Sequence, residues 1–122
     1  MLLNDFFTIA NPEHVSGTIH ALVRINRDHP IFEGHFPGQP VVPGVCMLQM
    51  VREVMELQLT ERLFIAEADN IKFLTVINPD HHSQIQLSIS YQREEDVFSL
   101  QASLFEGNTT FFKLKAVFKI EK

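Results

Sequence analysis

The sequence predicts an α+β domain in which an antiparallel sheet wraps around one long central helix. The helix is predicted from about Pro43 to Leu59, a stretch with no further proline and no glycine after Gly44. Apolar side chains cover most of its circumference, so it needs cover on more than one side, from a sheet or from a partner subunit. In the C-terminal half, three segments alternate apolar and polar residues, which is typical of half-buried strands in a meander. A long buried helix combined with such a sheet is an α+β arrangement.

The elements before the helix are predicted from turn signals and alternation. Residues 2–10 are interpreted as a short helix or a packed arm, which ends at the turn Asn11-Pro12. One strand is predicted from Val15 to Ile25, because most of its odd positions are apolar. Pro30 to Val42 is predicted not to be regular helix, because prolines restrict this segment to extended and turn conformations.

The segments after the helix are predicted to be extended. Leu63 to Ile77 is interpreted as two extended pieces separated at 67–70, and a turn follows at 78–80. The three alternating strands and the turns between them are predicted at 84–92, 93–96, 98–104, 107–108 and 112–120.

Length and composition restrict the class of protein. With 122 residues, 45% of them apolar and eleven of them phenylalanine, the chain is predicted to form a single domain over residues 1–122. A net charge of −5 without a basic stripe argues against a nucleic-acid partner. The single cysteine argues against an internal disulfide, and no apolar run reaches the ~20 residues that span a membrane. The N-terminal stretch has no basic region of the kind that begins a signal peptide. A cytoplasmic protein without a membrane partner is expected.

The residues that can support chemistry concentrate between Asp28 and Gln49. This stretch holds four of the six prolines, three of the five glycines, two of the six histidines and the cysteine. Its prolines make a stiff loop that carries His35 and leads directly into the predicted helix. Free amide groups and the dipole at a helix N-terminus favour negative charge, so this junction is the candidate site.

The segment GHFPGQPVVPGV, residues 34–45, resembles the signature of the 3-hydroxyacyl-acyl carrier protein dehydratases of fatty-acid and related acyl-chain synthesis. The similarity continues through the helix, the piece Asn70-Ile71-Lys72-Phe73 and the turn at 78–80. It implies the hot-dog fold, a homodimer or higher oligomer, and an acyl tunnel at the subunit interface. It also implies a substrate that is a thioester of acyl carrier protein or coenzyme A. No cofactor or metal is expected.

The resemblance assigns roles to five residues of the loop and the helix start. His35 matches the catalytic histidine, and the Gly44 amide matches the group that holds the thioester carbonyl. Phe36, Pro37 and Val45 are expected to bind substrate. These roles are chemically reasonable, because proton removal beside a thioester carbonyl creates enolate charge on oxygen, which a helix N-terminal amide stabilises. A neutral imidazole is a suitable base near neutral pH.

Gln49 is where the chain departs from the family pattern. Fourteen residues after its histidine, the family has a glutamate or aspartate that helps the 3-hydroxyl leave as water. Gln49 can hydrogen-bond to a hydroxyl, but an amide cannot donate a proton as an acid. Gln49 is therefore predicted to be a hydroxyl anchor within the catalytic site. Glu53, one helical turn further on, would replace the missing acid only if the substrate or the helix shifted.

Several functional hypotheses stay open on the sequence alone. The first is dehydration of a 3-hydroxyacyl thioester. The others are a non-catalytic subunit that binds acyl thioesters, a heterodimer partner of a glutamate-bearing paralogue, and thioester hydrolysis. Gln49 disfavours hydrolysis, because its amide can position a water but cannot take the proton from it.

Other reactive residue types are interpreted structurally. Cys46 is expected to be a small buried packing residue. His81-His82 is interpreted as a solvated turn, since adjacent extended residues point oppositely and cannot share a metal. Lys113, Lys115 and Lys119 are interpreted as a solvated strand face, with docking of an acidic carrier protein as the alternative.

Overall fold

A computed structural model describes residues 1–34, 38–82 and 84–122 of the chain. Within these residues, one antiparallel sheet packs against a long helix. In chain order the elements are strands β1 (Phe7–Val15) and β2 (Thr18–Ile25), helices α1 (Ile31–Gly34) and α2 (Gly44–Leu59), and strands β3 (Leu63–Phe73), β4 (Ile85–Glu94), β5 (Val97–Glu106) and β6 (Thr109–Ile120). The sheet order is β1-β2-β4-β5-β6-β3, and all neighbouring strands are antiparallel.

Helix α2 begins and ends at residues whose backbone conformations cannot continue it. Pro43 is the N-cap, with φ −62° and ψ 144°, so the helix starts one residue later than predicted. Proline suits this position because the first helical turn has no internal acceptors for its amides. At the other end, Thr60 adopts a left-handed conformation with φ 52°, and its N–H donates to the Glu56 carbonyl.

The core lies between α2 and the inner face of the sheet. The helix buries Met50, Val54 and Met55 completely, and the inward-facing positions of β5 and β6 alternate as the sequence pattern requires. Burying each large apolar side chain contributes about 1.5–3 kcal/mol relative to leaving it exposed. The predicted α+β fold, with an antiparallel sheet against one long helix, is confirmed.

The N-terminal strands differ from the prediction. Residues 7–15 form β1, so the expected turn at Asn11-Pro12 is wrong. Asn11 has φ 50°, and the register between β1 and β2 shifts between Ala10 and Glu13, so these residues form an irregularity inside the strand. Proline is tolerated there because β1 lies at the edge of the described sheet.

The single strand predicted from Val15 to Ile25 is also wrong, because Val15 ends β1 and a turn at Ser16-Gly17 precedes β2. Gly17 has φ 81°, and an added Cβ would lie 2.8 Å from the Tyr91 carbonyl oxygen. Glycine is therefore required on both conformational and steric grounds.

Two further expectations are corrected. Ile31–Gly34 forms one turn of helix inside the segment that was predicted to lack helix, and it buries Phe32. Pro30 directly precedes this turn, where its missing N–H is not needed. Strand β3 continues through residues 67–70 rather than breaking there. Register shifts, between Ile65 and Glu67 and between Ala68 and Asn70, accommodate the polar residues.

No helix within the described residues is long and apolar enough to cross a membrane.

Because α2 lies in the core, substitutions at a buried and at an exposed residue of this helix should differ in their effect on stability. Met55→Ala should lower the free energy of unfolding by about 2–5 kcal/mol, because it removes a fully buried side chain and leaves a cavity. Leu57→Ala is the matched control, since Leu57 is 48% exposed on the same helix, and it should cost less than about 1 kcal/mol. Chemical denaturation of both variants measures the difference. Equal losses would contradict the placement of α2 in the core.

Candidate functional site

An apolar groove of about 380 Å³ opens beside the N-terminus of α2. One wall consists of residues 41–44 together with Met47, and the other consists of residues 73–76. Hydrogen bonds hold the walls in place. The Val42 N–H donates to the Ile77 carbonyl at 2.9 Å, and the Leu74 N–H donates to the Phe111 carbonyl at 2.9 Å. The groove is thus formed by backbone segments tied to the core on both sides.

Gly44 brings the helix and the second wall into close contact. A Cβ added to Gly44 would lie 2.7 Å from Cε1 of Phe73, closer than real Cβ atoms approach a neighbour. A side chain at position 44 would therefore displace the phenylalanine ring. As the first residue of α2, Gly44 has no carbonyl one turn earlier in the helix to accept its N–H. That amide belongs to the helix end where the dipole favours negative charge.

Large apolar side chains remain exposed around the groove. Val45 is 74% exposed and Val76 is 63% exposed, and Phe73 and Leu74 are each more than half exposed. We call these four residues the apolar rim. Phe73 ends β3, which is the strand at one edge of the described sheet. An apolar cluster of this kind beside an unpaired strand edge is typical of a surface that is covered by another molecule.

The half-buried Gln49 and the buried Glu53 form a hydrogen-bonded pair on α2. The Gln49 side-chain amide donates from Nε2 to Oε2 of Glu53 at 2.8 Å. Oε1 of Glu53 also accepts the backbone N–H groups of Leu2, at 2.9 Å, and Leu3, at 2.8 Å. Glu53 is only 2% exposed, and it is the buried charged residue of the described core. Its carboxylate holds the N-terminal segment and Gln49 together.

This geometry bears directly on the two polar candidates. Both carboxylate oxygens of Glu53 are occupied by N–H donors, so Glu53 does not present a free acid to the groove. Gln49 has its amide nitrogen committed to Glu53, while its Oε1 has no hydrogen-bond donor among the described residues. An acceptor rather than an acid is therefore what position 49 can offer to a ligand.

The structure brings some of the predicted site residues together. Gly44 lies in the groove wall and Val45 beside it, and Gln49 follows on the same helix, about 7.5 Å of rise beyond Gly44. His35, Phe36 and Pro37 lie outside the described residues. Sequence reasoning missed the groove wall at 73–76 and the N-terminal segment bound to Glu53. The signal for the groove wall was the apolar run after Asn70, which does not alternate with polar residues. Nothing in the sequence pattern indicated the contact of the N-terminal segment with Glu53.

Cys46 agrees with its interpretation as a packing residue. The histidine pair lies in a turn as predicted, but His82 is not fully solvated, since its ring packs edge-on against Phe111 with the ring centroids 4.7 Å apart. Cys46 is buried, and its pKa is raised, first by burial and then by the negative charge of Glu53. Its thiol therefore remains protonated near neutral pH, which suits a packing residue. The N–H groups of His81 and His82 both donate to the Asn78 carbonyl, which closes the turn. No group of three or more metal-ligating side chains occurs in residues 1–34, 38–82 and 84–122.

The comparison with known families decides the assignment. Residues 11–111 match the family model described as "ApeI-like: ApeI dehydratase". The chain belongs to this family of dehydratases. It is also similar to proteins named 3-hydroxyacyl-[acyl-carrier-protein] dehydratase FabZ. The protein from Caulobacter vibrioides is 28% identical over 94 residues, which cover 76% of this chain and 55% of the relative. That from Geobacter metallireducens is 29% identical over 117 residues, which cover 87% and 78%.

For the Caulobacter relatives, this ApeI-like chain thus spans about half the length of the curated protein it matches. Solved structures agree on the fold. The dehydratase heterocomplex ApeI:P from Xenorhabdus doucetiae has a TM-score of 0.72 at 19% identity, covering 93% of this chain and 96% of that one. Thioesterase HI1161 from Haemophilus influenzae has a TM-score of 0.60 at 11% identity, covering 95% and 78%. The expected hot-dog fold is confirmed.

The Gln49–Glu53 pair generates a stability prediction. Gln49→Leu should lower the free energy of unfolding by about 1–3 kcal/mol, because it leaves a buried carboxylate without one hydrogen-bond donor. It should also speed hydrogen exchange of the Leu2 and Leu3 amides, which share that carboxylate. Gln58→Leu is the control, since the Gln58 side chain makes no hydrogen bond within the described chain. If both variants lose the same stability, the pair has no structural role.

Proposed function

We propose that this protein is a hydro-lyase that eliminates water from a 3-hydroxyacyl thioester carried by acyl carrier protein or coenzyme A. The observation that carries the proposal is the apolar groove at the N-terminus of α2. An acyl chain suits the apolar walls, and the thioester carbonyl suits a helix N-terminal amide. Membership of a dehydratase family supports the reaction class.

The chemistry follows from the expected positions of three groups. His35 takes the proton from C2, next to the thioester carbonyl. The Gly44 amide donates to the carbonyl oxygen and stabilises the enolate charge that develops there. Phe36, Pro37 and Val45 contact the acyl chain, which excludes water and strengthens the hydrogen bond to the oxyanion.

Gln49 has a positioning role in this proposal. Because its Nε2 is held by Glu53, its Oε1 accepts a hydrogen bond from the substrate 3-hydroxyl and fixes the leaving group. It supplies no proton. The proton that His35 removed from C2 is then the one available to the departing hydroxyl, so C2 and C3 become doubly bonded and one water leaves. Without a second acid the step should be slow, since general acid assistance is worth ~10²–10⁴-fold.

A homodimer completes the acyl site in this proposal. The apolar rim is too exposed to suit an isolated subunit, and it lies beside the free edge of β3. A second copy that covers the rim would turn the groove into a closed tunnel. A paralogue that carries a glutamate at the position of Gln49 would cover the rim equally well, and it would supply the missing acid. The similar structure from Xenorhabdus doucetiae is a heterocomplex, which supports this second arrangement.

The dimer proposal predicts the effect of a charge in the rim. Val76→Lys should shift the protein from dimer to monomer at micromolar concentration, because it places a charge in a surface that is desolvated when the partner binds. Val15→Lys is the control, since Val15 is 69% exposed but belongs to β1 at the opposite sheet edge. Sedimentation velocity measures both. A wild type that is monomeric, or a Val76→Lys variant that stays dimeric, would contradict the proposed interface.

The dehydration proposal predicts the rates of four proteins on one 3-hydroxyacyl carrier thioester. Wild type should turn over slowly, and His35→Ala should not turn over. Gln49→Glu alone places two carboxylates at hydrogen-bond distance, so a shared proton and a strained N-terminal segment are expected. The exchanged variant Gln49→Glu/Glu53→Gln keeps one carboxylate and one amide, and it should be faster than wild type by ~10². Single-turnover experiments that follow enoyl formation and free thiol together measure all four.

The possible results of this experiment distinguish the functional hypotheses. Free thiol without enoyl product would show hydrolysis and reject the dehydratase proposal. Binding of the thioester without turnover by any of the four proteins would favour the non-catalytic subunit. Activity that appears only when a glutamate-bearing paralogue is added would favour the heterodimer. An active His35→Ala variant would remove the histidine from the mechanism.

A further inference from the structure

Three lysines meet on the outer face of the sheet, away from α2. Lys113 and Lys115 alternate along β6 with Phe112, Leu114 and Ala116, which point into the core. The register places Lys72 of β3 directly opposite Lys113. The lysines therefore lie on two adjacent strands and on the face opposite the acyl groove.

The register brings like charges together without neutralising them. Side chains directly opposite one another in an antiparallel pair have Cβ atoms about 4.5–5.5 Å apart, and like charges at that spacing are destabilising. Within the described residues, none of the three lysines makes an ion pair or a side-chain hydrogen bond. The chain carries ten Lys and Arg against fifteen Asp and Glu, yet three of the ten lie here. If this face bound nothing, replacing one of these lysines with a neutral residue would stabilise the fold.

The lysines line a groove whose chemistry suits an anion. The groove has a volume of about 350 Å³, within the range of small-ligand sites. Ser88, Ser90 and Ser103 line its other side, on β4 and β5, across from Lys72 on β3. Asn70 on β3 and Gln101 on β5 lie directly opposite Lys115 on the two strands that neighbour β6. No aspartate or glutamate lines it, so every side chain there with a polar group can donate a hydrogen bond.

The charge is concentrated at the recess rather than spread along the strand. Lys119 also faces outward on β6, but it lies four residues beyond Lys115 and does not line the groove. A docking surface for an acidic protein would use an extended basic strip. Three ammonium groups on the adjacent strands β6 and β3, facing hydroxyl side chains on β4 and β5, suit a compact oxyanion.

We propose that the groove lined by Lys72, Lys113 and Lys115 binds a small ligand that carries phosphate groups. Ammonium groups act as point-charge donors to phosphate oxygens, and the serine and amide side chains supply further donors. Binding would also relieve the repulsion between Lys72 and Lys113. The site lies on the opposite face of the sheet from the acyl groove, so it does not depend on the proposed dehydratase activity.

The test measures binding of pyrophosphate to the full chain at low ionic strength, by calorimetry and by the thermal unfolding midpoint. Pyrophosphate at about millimolar concentration should raise the midpoint, whereas sodium chloride of equal ionic strength should not. Lys72→Gln and Lys113→Gln should each weaken binding at least about tenfold, while Lys119→Gln, the matched control, should change it less than about twofold. Without ligand, Lys72→Gln should unfold at no lower temperature than wild type, because it removes a like-charge pair.

Three results would overturn the proposal. The first is absence of pyrophosphate binding by wild type. The second is an equal loss of binding in all three lysine variants, which would indicate a general charge effect. The third is binding of an acidic polypeptide such as polyglutamate without binding of pyrophosphate, which would make this face a protein-docking surface.

Discussion

The close packing of Gly44 against Phe73 is the contact on which the candidate site depends. It holds the N-terminus of α2 against the end of β3, with a hypothetical Cβ only 2.7 Å from the ring. The first amide of the helix, the groove walls and the apolar rim meet at this contact, and the backbone hydrogen bonds of Val42 and Leu74 hold the walls. A larger residue at position 44 would have to displace the Phe73 ring, which is 57% exposed. The glycine is therefore explained by packing alone, before any catalytic role is considered.

Glu53 imposes a second constraint, and it makes positions 49 and 53 a single unit. A buried carboxylate is costly unless donors satisfy it, and here the Leu2 and Leu3 amides and the Gln49 side chain do so. An unprotonated acid at position 49 would add a second negative charge beside the first. Glutamine suits position 49 while Glu53 stays buried, because its Nε2 donates to the carboxylate without adding a charge. The side chain at position 49 is thus coupled to the glutamate one turn later.

The sequence predicts this fold best where one face is buried and no special backbone is needed. Strands β4 to β6 alternate because their inner residues form the core, and α2 is uninterrupted because no breaker follows Gly44. Predictions failed at Asn11-Pro12, which forms an irregularity in an edge strand, and at 67–70, where bulges absorb polar residues. The Gln49–Glu53 contact follows from helical spacing. The Leu2 contact with Glu53 does not, since 51 positions separate the two residues.

The two proposed sites use opposite faces of the same strand end. Lys72 points to the outer groove and Phe73 belongs to the apolar rim, so adjacent residues serve the two faces. Adjacency alone does not couple them. A ligand shifts an equilibrium only by its difference in affinity between two states, and a strand paired along its length to β6 has one arrangement here. Coupling would require β3 to change its twist or its register with β6. A sheet that keeps this register therefore keeps the acyl groove and the lysine groove independent.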